Sequence, residues 1–378
     1  MVPKNILRIL SNLAVCAALL SGMVACDISA TAVNAPSTPT TLPPQPGDPL
    51  QEIPMQIGYG ARSSFYEVYF TDPFNPNAYR DEGGPDIPLA QAIDEARLSV
   101  DIAAYSMSLR SVRDALLRAQ KRGVRVRMVM ESDNLYNAVP SDLANAGIPI
   151  VGDNRPGLMH DKFMVIDRSE VWTGSMNFTT SGAYEDNNNL IRIRSTKVAE
   201  DYTVEFEEMF ERDFFGPDVI AATPNPHVTI DGIPLEIYFS PDDKVARRIV
   251  ELLRGAQQSI YFMAFSFTAN DYGDILLQKA KQGLTIAGVM EEQQVKSNEG
   301  TKFTPLHEAG LPVYLDGNPG QMHHKVFIID RKIVIAGSYN FSLSAETQND
   351  ENVVIFFDPR IAAQYLAEFK RVDAKAQK

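Results

Sequence analysis

The chain has 378 residues, a formal net charge of −13 at pH 7, 44% hydrophobic residues and two cysteines. That length accommodates two domains of ordinary size, and the acidic balance reads as a solvated surface. It argues against a nucleic-acid partner, because duplex DNA is held largely by Lys and Arg neutralising its phosphates. Cys16 and Cys26 are too few for a disulfide framework, a cysteine-ligated zinc site or a thiolate-based centre in the body of the chain.

Lys4 and Arg8 precede an apolar run over residues 13–20, and the small residues Ser21-Gly22-Met23-Val24-Ala25 lead to Cys26. This is the order of a secretory signal, residues 1–26, and the run is short for a membrane span. Met23-Val24-Ala25-Cys26 resembles a bacterial lipobox, which would make Cys26 the lipidated first residue of an exported cell-envelope protein. Met where such a box usually has Leu leaves ordinary cleavage, and a secreted or periplasmic chain, as the alternative. Loss of Lys4 and Arg8 takes the charge from −13 to −15. Residues 27–54 carry Pro36, Pro39, Pro43, Pro44, Pro46, Pro49 and Pro54 among Ser, Thr and Gln, and are expected to form a semi-extended tether.

Beyond residue 55 the chain repeats itself. The β-prone runs 99–107 and 259–267 correspond, each preceded by a helical pattern (89–97, 245–256) and followed by another (112–121, 272–281). Gly123 and Gly283 then stand where a helix C-cap wants positive φ, and strands 124–130 and 284–290 complete a β-α-β unit in each half. The Pro-rich stretch 216–233 reads as the connection. The predicted fold is α/β: residues 55–216 and 217–378 form two domains, each a mixed sheet flanked by helices, joined as a pseudo-dimer within one chain.

The most informative repeat is Met159-His160-Asp161-Lys162 with Asp167, then Gly174-Ser175-Met176-Asn177. It recurs as Met322-His323-His324-Lys325 with Asp330, then Gly337-Ser338-Tyr339-Asn340. A spacing of 163 residues connects His160 to His323, Lys162 to Lys325, Asp167 to Asp330 and Asn177 to Asn340. His and Lys two apart at the head of a strand project from one face, and a lysine there is costly to bury without a purpose. This doubled H-x-K-x4-D-x6-G-S-x-N pattern resembles the phospholipase D superfamily, whose members carry two such motifs per active site.

The resemblance implies a metal-independent phosphodiesterase with no cofactor, working through a phosphohistidine. One imidazole would attack phosphorus while the other protonates the leaving alcohol. Lys162 and Lys325 would hold the non-bridging oxygens, helped by Asn177 and Asn340 with Ser175 and Ser338 nearby. A His-x-Lys pair is not a metal-ligand arrangement, since Lys is cationic. Asp167 and Asp330 are expected to be structural, charge-pairing members of the motif. The superfamily commonly has an acidic residue near the position of Glu351, bonded to a histidine of the opposite half, whereas the equivalent first-half position is Asn188. Crossed pairing would then give Glu351 to His160 and an amide to His323, making His160 the nucleophile and His323 the acid, unless Asp186 or Glu185 shifts into place.

The remaining candidates have plainer readings. His324 should face away from the site, His227 and His307 read as surface or loop residues, and Trp172 as core. Gly157 and Gly320 read as loop positions near the cleft mouth, and 133–156 and 292–319 as substrate-choosing loops. Export and acidic charge favour hydrolysis of phospholipid headgroups to phosphatidic acid by a monomer reaching the membrane through its lipid anchor. An exported endonuclease, suggested by the compact halves, and a phosphatidyltransferase are the alternatives, with nucleic acid the less favoured partner.

Overall fold

The computed structural model describes residues 44–219 and 221–377. The expected signal, Cys26 and tether residues 27–43 lie outside the described residues. No helix among the described residues is long and apolar enough to cross a membrane.

In the first half β1 (Gln51–Ile53), β2 (Tyr59–Arg62) and β3 (Tyr66–Phe70) precede helix α1 (Asp86–Glu95), β4 (Ser99–Ala104), α2 (Arg110–Lys121) and β5 (Arg125–Met130). Then come α3 (Ala138–Asn145), β6 (Ile150–Gly152), β7 (Lys162–Ile166), β8 (Glu170–Gly174), α4 (Thr180–Tyr184), β9 (Asn189–Arg194) and α5 (Thr196–Arg212). The strands form one sheet in the order β1-β2-β3-β9-β8-β7-β4-β5-β6. It is mixed: β4 runs parallel to β5 and antiparallel to β7.

The second half repeats the plan. Strands β10 (His227–Ile230) and β11 (Ile233–Ser240) are followed by α6 (Val245–Gly255), β12 (Ser259–Ala264), α7 (Asn270–Lys281) and β13 (Thr285–Met290). Next are α8 (Glu292–Ser297), α9 (Phe303–Glu308), β14 (Val313–Leu315), β15 (Lys325–Ile329), β16 (Ile333–Gly337), α10 (Leu343–Thr347), β17 (Glu351–Phe356) and α11 (Pro359–Lys375). Its sheet order is β10-β11-β17-β16-β15-β12-β13-β14.

Alternation along β7 and β15 explains their unbroken apolar runs. Phe163 and Val165 enter a core shared between the halves, where they meet Val326 and Ile328 of β15 and residues of α5 and α11 such as Tyr202 and Tyr365. Met164 and Ile166 point the other way, into a core with α1 and α2, and Phe327 and Ile329 do the same with α6 and α7. Each large side chain fully buried this way stabilises the fold by about 2 kcal/mol. The shared core makes the two halves one body.

Three expectations need correcting. The end of the predicted tether is a strand, because Gln51-Glu52-Ile53 lies free of proline and pairs with Gly60, Ala61 and Arg62. The predicted connection contains β10, paired in register with β11 from His227↔Glu236 to Ile230↔Ile233, so His227 opens a strand. The expected substrate loops are largely regular structure, namely α3 and β6 in one half and α8, α9 and β14 in the other. His227 and His307 are surface residues as expected, His307 lying in α9 with Nδ1 bonded to the Val313 carbonyl.

Asp167 and Asp330 are structural, but they pair with backbone amides rather than with cations. Each sits just past its strand at positive φ, 52° and 51°. The Asp167 carboxylate accepts from the N–H groups of Arg97, Leu98 and Ser99, and that of Asp330 from Gln257, Gln258 and Ser259. These bonds fix the turn between α1 and β4, or α6 and β12. They lie at the end of β7 or β15 away from the histidine, roughly 20 Å along the extended chain. We expect Asp167→Ala and Asp330→Ala each to lower stability by about 2 kcal/mol in urea unfolding; a loss below about 0.5 kcal/mol would remove the capping role.

Candidate active site

Strand pairing brings the two motifs to one seam. Lys162 pairs with Ala104 at the C-terminal end of β4, and Lys325 with Ala264 of β12. One residue further, Tyr105 N–H bonds the Asp161 carbonyl and Phe265 N–H the His324 carbonyl. The halves then exchange backbone. His160 N–H donates to the Asp350 carbonyl and Asp350 N–H to that of Leu158, while His323 N–H donates to Asn187 and Asn187 N–H to Gln321. Each histidine is thus held by the half that does not carry it.

The side chains are crossed in the same way. His160 Nδ1 lies 2.7 Å from Glu351 Oε2, and His323 Nδ1 lies 3.0 Å from both Asn188 Oδ1 and the Ser175 carbonyl. Carbonyl oxygens only accept, so His323 carries its proton on Nδ1 and leaves Nε2 for chemistry. Glu351 imposes the same tautomer on His160. Each ring meets an aromatic edge, His160 with Tyr105 at 4.9 Å and His323 with Phe265 at 4.7 Å between centroids.

Both lysines are buried, Lys162 at 0% and Lys325 at 1% exposure. Lys162 Nζ donates to the His160 carbonyl and stands 5.0 Å over the Tyr105 ring. Lys325 Nζ donates to the His323 carbonyl at 2.7 Å and stands 4.5 Å over Phe265. These two rings were not singled out in the sequence, although they form an aligned pair just after equivalent strands.

Burial dominates the electrostatics. It holds both imidazoles well below the ordinary histidine range, and the nearby lysines of both halves push the same way. Burial also brings Lys162 down to about 7, against the pull of Glu351 and Asp161, and takes Lys325 well below its usual range. Glu351 is pushed up to about 7 by burial, with Lys162 opposing. The cleft therefore holds neutral imidazoles between two lysines whose charged form an arriving anion would favour.

The Gly-Ser-x-Asn turns have a steric basis. A Cβ on Gly174 would lie 2.4 Å from the Asn189 carbonyl oxygen, and one on Gly337 2.1 Å from that of Asn352, both at positive φ. Ser175 and Ser338 are supporting groups. Ser175 Oγ donates to Asn188 Oδ1 at 2.8 Å and accepts from Asn189, while Ser338 Oγ accepts from Asn352 N–H and bonds Glu351. Their hydroxyls are thus spent on orienting Asn188 and Glu351 rather than left for phosphate. Asn177 Oδ1 and Asn340 Oδ1 are buried without a hydrogen-bond partner.

The residues between each His and Lys face away from the cleft. Asp161 accepts from Asn352 Nδ2 at 2.6 Å, and His324 sits between Asn189 and Glu368 at 3.1 and 3.2 Å. Asp186 is engaged with the N–H of Gln321, so Asn188 keeps its place beside His323. Gly157 and Gly320 abut the opposite half, where a Cβ would lie 2.4 Å from the carbonyl oxygen of Gln348 or Glu185.

A family model described as cardiolipin synthase, PLD-like domain, matches residues 89–210 and 249–372. The chain belongs to the phospholipase D superfamily and carries two of its domains. It is 38% identical over 128 residues to a phospholipase D of Rickettsia prowazekii, covering 34% of this chain and 62% of that protein. It is 32% identical over 131 residues to a mitochondrial cardiolipin hydrolase of Xenopus laevis, covering 35% of this chain and 61% of that protein. The chain thus spans somewhat less than two thirds of these relatives. The crystal structure of phosphatidylserine synthase from Haemophilus influenzae shares the fold, with a TM-score of 0.61, 11% identity, and 77% of this chain and 84% of that one covered.

The buried carboxylates give a stability signature. Burial raises Asp161, Asp350 and Glu351, with Asp242 after β11, to about 7. A raised folded-state value means the native chain keeps protons that the unfolded chain has already lost between about pH 4.5 and 7. Stability should therefore fall across that window as pH rises: these four carboxylates, with Asp186, Asp201 and Asp316 raised to about 6, outweigh the depressed imidazoles and lysines that act the other way. We expect a higher thermal midpoint at pH 5 than at pH 7; a midpoint that climbs with pH would mean these groups are ionised in the fold.

Proposed function

We propose that the chain is a phospholipase D that hydrolyses phospholipid headgroups to phosphatidic acid through a phosphohistidine on His160. The observation that carries this is the unequal crossed pairing of the rings, Glu351 on His160 and an amide on His323. The similarity to named phospholipases D and cardiolipin hydrolases supports a phospholipid substrate. The acidic charge of −13 favours that class over nucleic acid.

A phosphodiester monoanion seated between Lys162 and Lys325 offsets the burial and the lysine charges that keep His323 neutral, so that ring takes up a proton at Nε2 as substrate binds. His160 Nε2 then attacks phosphorus, the bond to the headgroup oxygen breaks, and His323 gives its proton to the departing alkoxide. Glu351 stabilises the positive phospho-imidazole through Nδ1. Water next loses a proton to His323 Nε2 and attacks phosphorus, the P–N bond breaks, and His160 leaves as a neutral ring. Lys162, Lys325, Asn177 and Asn340 line the developing charge. Export by residues 1–26 and anchoring at Cys26 belong to the same reading, supported by the order of residues there.

The test is an assay in EDTA with phosphatidylcholine, phosphatidylglycerol and phosphatidylethanolamine vesicles beside single- and double-stranded DNA. His160→Asn and His323→Asn should each abolish headgroup release, by about a thousandfold or more. DNA cleavage without lipid turnover would make this an exported nuclease instead. Acid-quench trapping with a radiolabelled phospholipid should put the phosphoryl group on His160, and Glu351→Gln should slow its formation by roughly 10- to 100-fold. Label on His323 would reverse the two roles.

A further inference from the structure

The loop that enters each motif repeats as well. Asp153-Asn154-Arg155-Pro156-Gly157 corresponds to Asp316-Gly317-Asn318-Pro319-Gly320 at the spacing of 163. The shared residues hold both loops in one shape. Asp153 accepts from the Ser132 N–H just past β5 and Asp316 from the Glu292 N–H just past β13, each at 2.9 Å. The proline disfavours a helical backbone at the residue before it. Gly157 and Gly320 let the loops press on the opposite half, where a Cβ would come within 2.4 Å of the Gln348 or Glu185 carbonyl oxygen.

The central residue differs, Arg155 against Asn318, yet it bonds equivalent acceptors. Arg155 donates to the Leu158 carbonyl of its own half at 3.3 Å and, across the seam, to the Gln348 carbonyl at 2.5 Å and the Asp350 carboxylate. Asn318 Nδ2 divides its hydrogens among the Gln321 carbonyl at 3.2 Å, the Glu185 carbonyl at 2.9 Å and Asn187 Oδ1 at 3.0 Å. At the spacing of 163, Leu158 matches Gln321, while Glu185 and Asn187 match Gln348 and Asp350. The end groups are paired by kind, cation on carboxylate in one half and amide on amide in the other. The Asp350 carboxylate is buried and takes a further bond from the Gly216 N–H.

Each gripped residue stands next to a ring partner. Asp350 precedes Glu351, which bonds His160, and Asn187 precedes Asn188, which bonds His323. Their backbones hold the same histidines, His160 N–H on the Asp350 carbonyl and His323 N–H on that of Asn187. We propose that Arg155 and Asn318 are positioning residues for the reaction, each clamping across the seam the segment that supplies its own histidine's partner. Arg155 thus acts through Glu351 on His160, and Asn318 through Asn188 on His323. The steps assigned to them rest on the reading above, in which His160 attacks and His323 protonates the leaving group. That reading gives the clamps different signatures. Loss of Arg155 loosens the attacking ring and slows phosphohistidine formation with any leaving group. Loss of Asn318 loosens the general acid, which a departing alkoxide needs and p-nitrophenolate, a stable anion, does not.

The test is single-turnover release of p-nitrophenolate from bis(p-nitrophenyl) phosphate by the whole chain in excess, which reports phosphohistidine formation whatever limits the later steps. At saturation its rate constant does not depend on how much of a variant is folded. Arg155→Ala should lower that constant about tenfold, Arg155→Lys by less, and Asn318→Ala by no more than about twofold. Arg155→Ala combined with Glu351→Gln should be no slower than Glu351→Gln alone, because the arginine acts through that carboxylate. A merely structural arginine would not show this dependence. Wild-type rate constants in both Arg155 variants, or a double variant slowed by the product of the two single effects, overturn the clamp. Slowing by Asn318→Ala and not by Arg155→Ala supports the clamps and overturns the roles given above to the two histidines. Failure of the wild type to release p-nitrophenolate overturns the phosphohistidine reading and the clamps with it.

Discussion

Two ammonium groups buried in one cleft are the constraint to which the rest of this structure answers. A lone buried ammonium is costly. Here each finds a carbonyl oxygen of its own motif and an aromatic face beneath it, from Tyr105 or Phe265. Glu351 and Asp161 supply opposing charge, and both stand partly protonated near neutrality. What remains uncompensated is part of the cost of burying the two charges, which brings Lys162 down to about 7 and Lys325 well below its usual range. An anion between the rings would offset that cost, while burial, with the lysines pushing the same way, holds the imidazoles neutral.

The backbone bonds exchanged across the seam set the distances that this arrangement needs. They tie the strand carrying each histidine to the segment that supplies its partner, so ring orientation follows from sheet geometry rather than from flexible loops. The shared apolar core behind the seam, with α5 and α11 in it, keeps the halves from sliding. Asn189 and Asn352 link the two layers. Asn352 bonds Asp161, Thr173 and Tyr202, and Asn189 bonds His324, Ser175 and Tyr365.

Much of this was legible in the sequence because the repeat does the aligning. His-x-Lys at the head of an apolar run, doubled at one spacing, specified strand, face and partner together, and the Glu351 and Asn188 positions followed from the same offset. Less legible were β1 to β3 and β10, short pieces among Pro, Gly and Ser whose strand character comes from sheet edges supplied by distant residues. The capping by Asp167 and Asp330 was hidden because its partners are backbone amides, which have no sequence signature. The aromatic supports were missed for a different reason. Tyr105 and Phe265 line up in the repeated strands at an offset of 160, but an aromatic residue at the end of an apolar run reads as core, and nothing in the sequence marks it as the support of a lysine.

The crossed partners also bear on how such a molecule can diverge. In a symmetric pair of identical chains, both rings would receive the same partner, and any change beside one histidine would be copied to the other. Two halves on one chain are free of that rule. One can keep a carboxylate, Glu351, while the other adopts an amide, Asn188. Covalent duplication converts a twofold axis from a law into a starting point, and each half can then be selected for a single step.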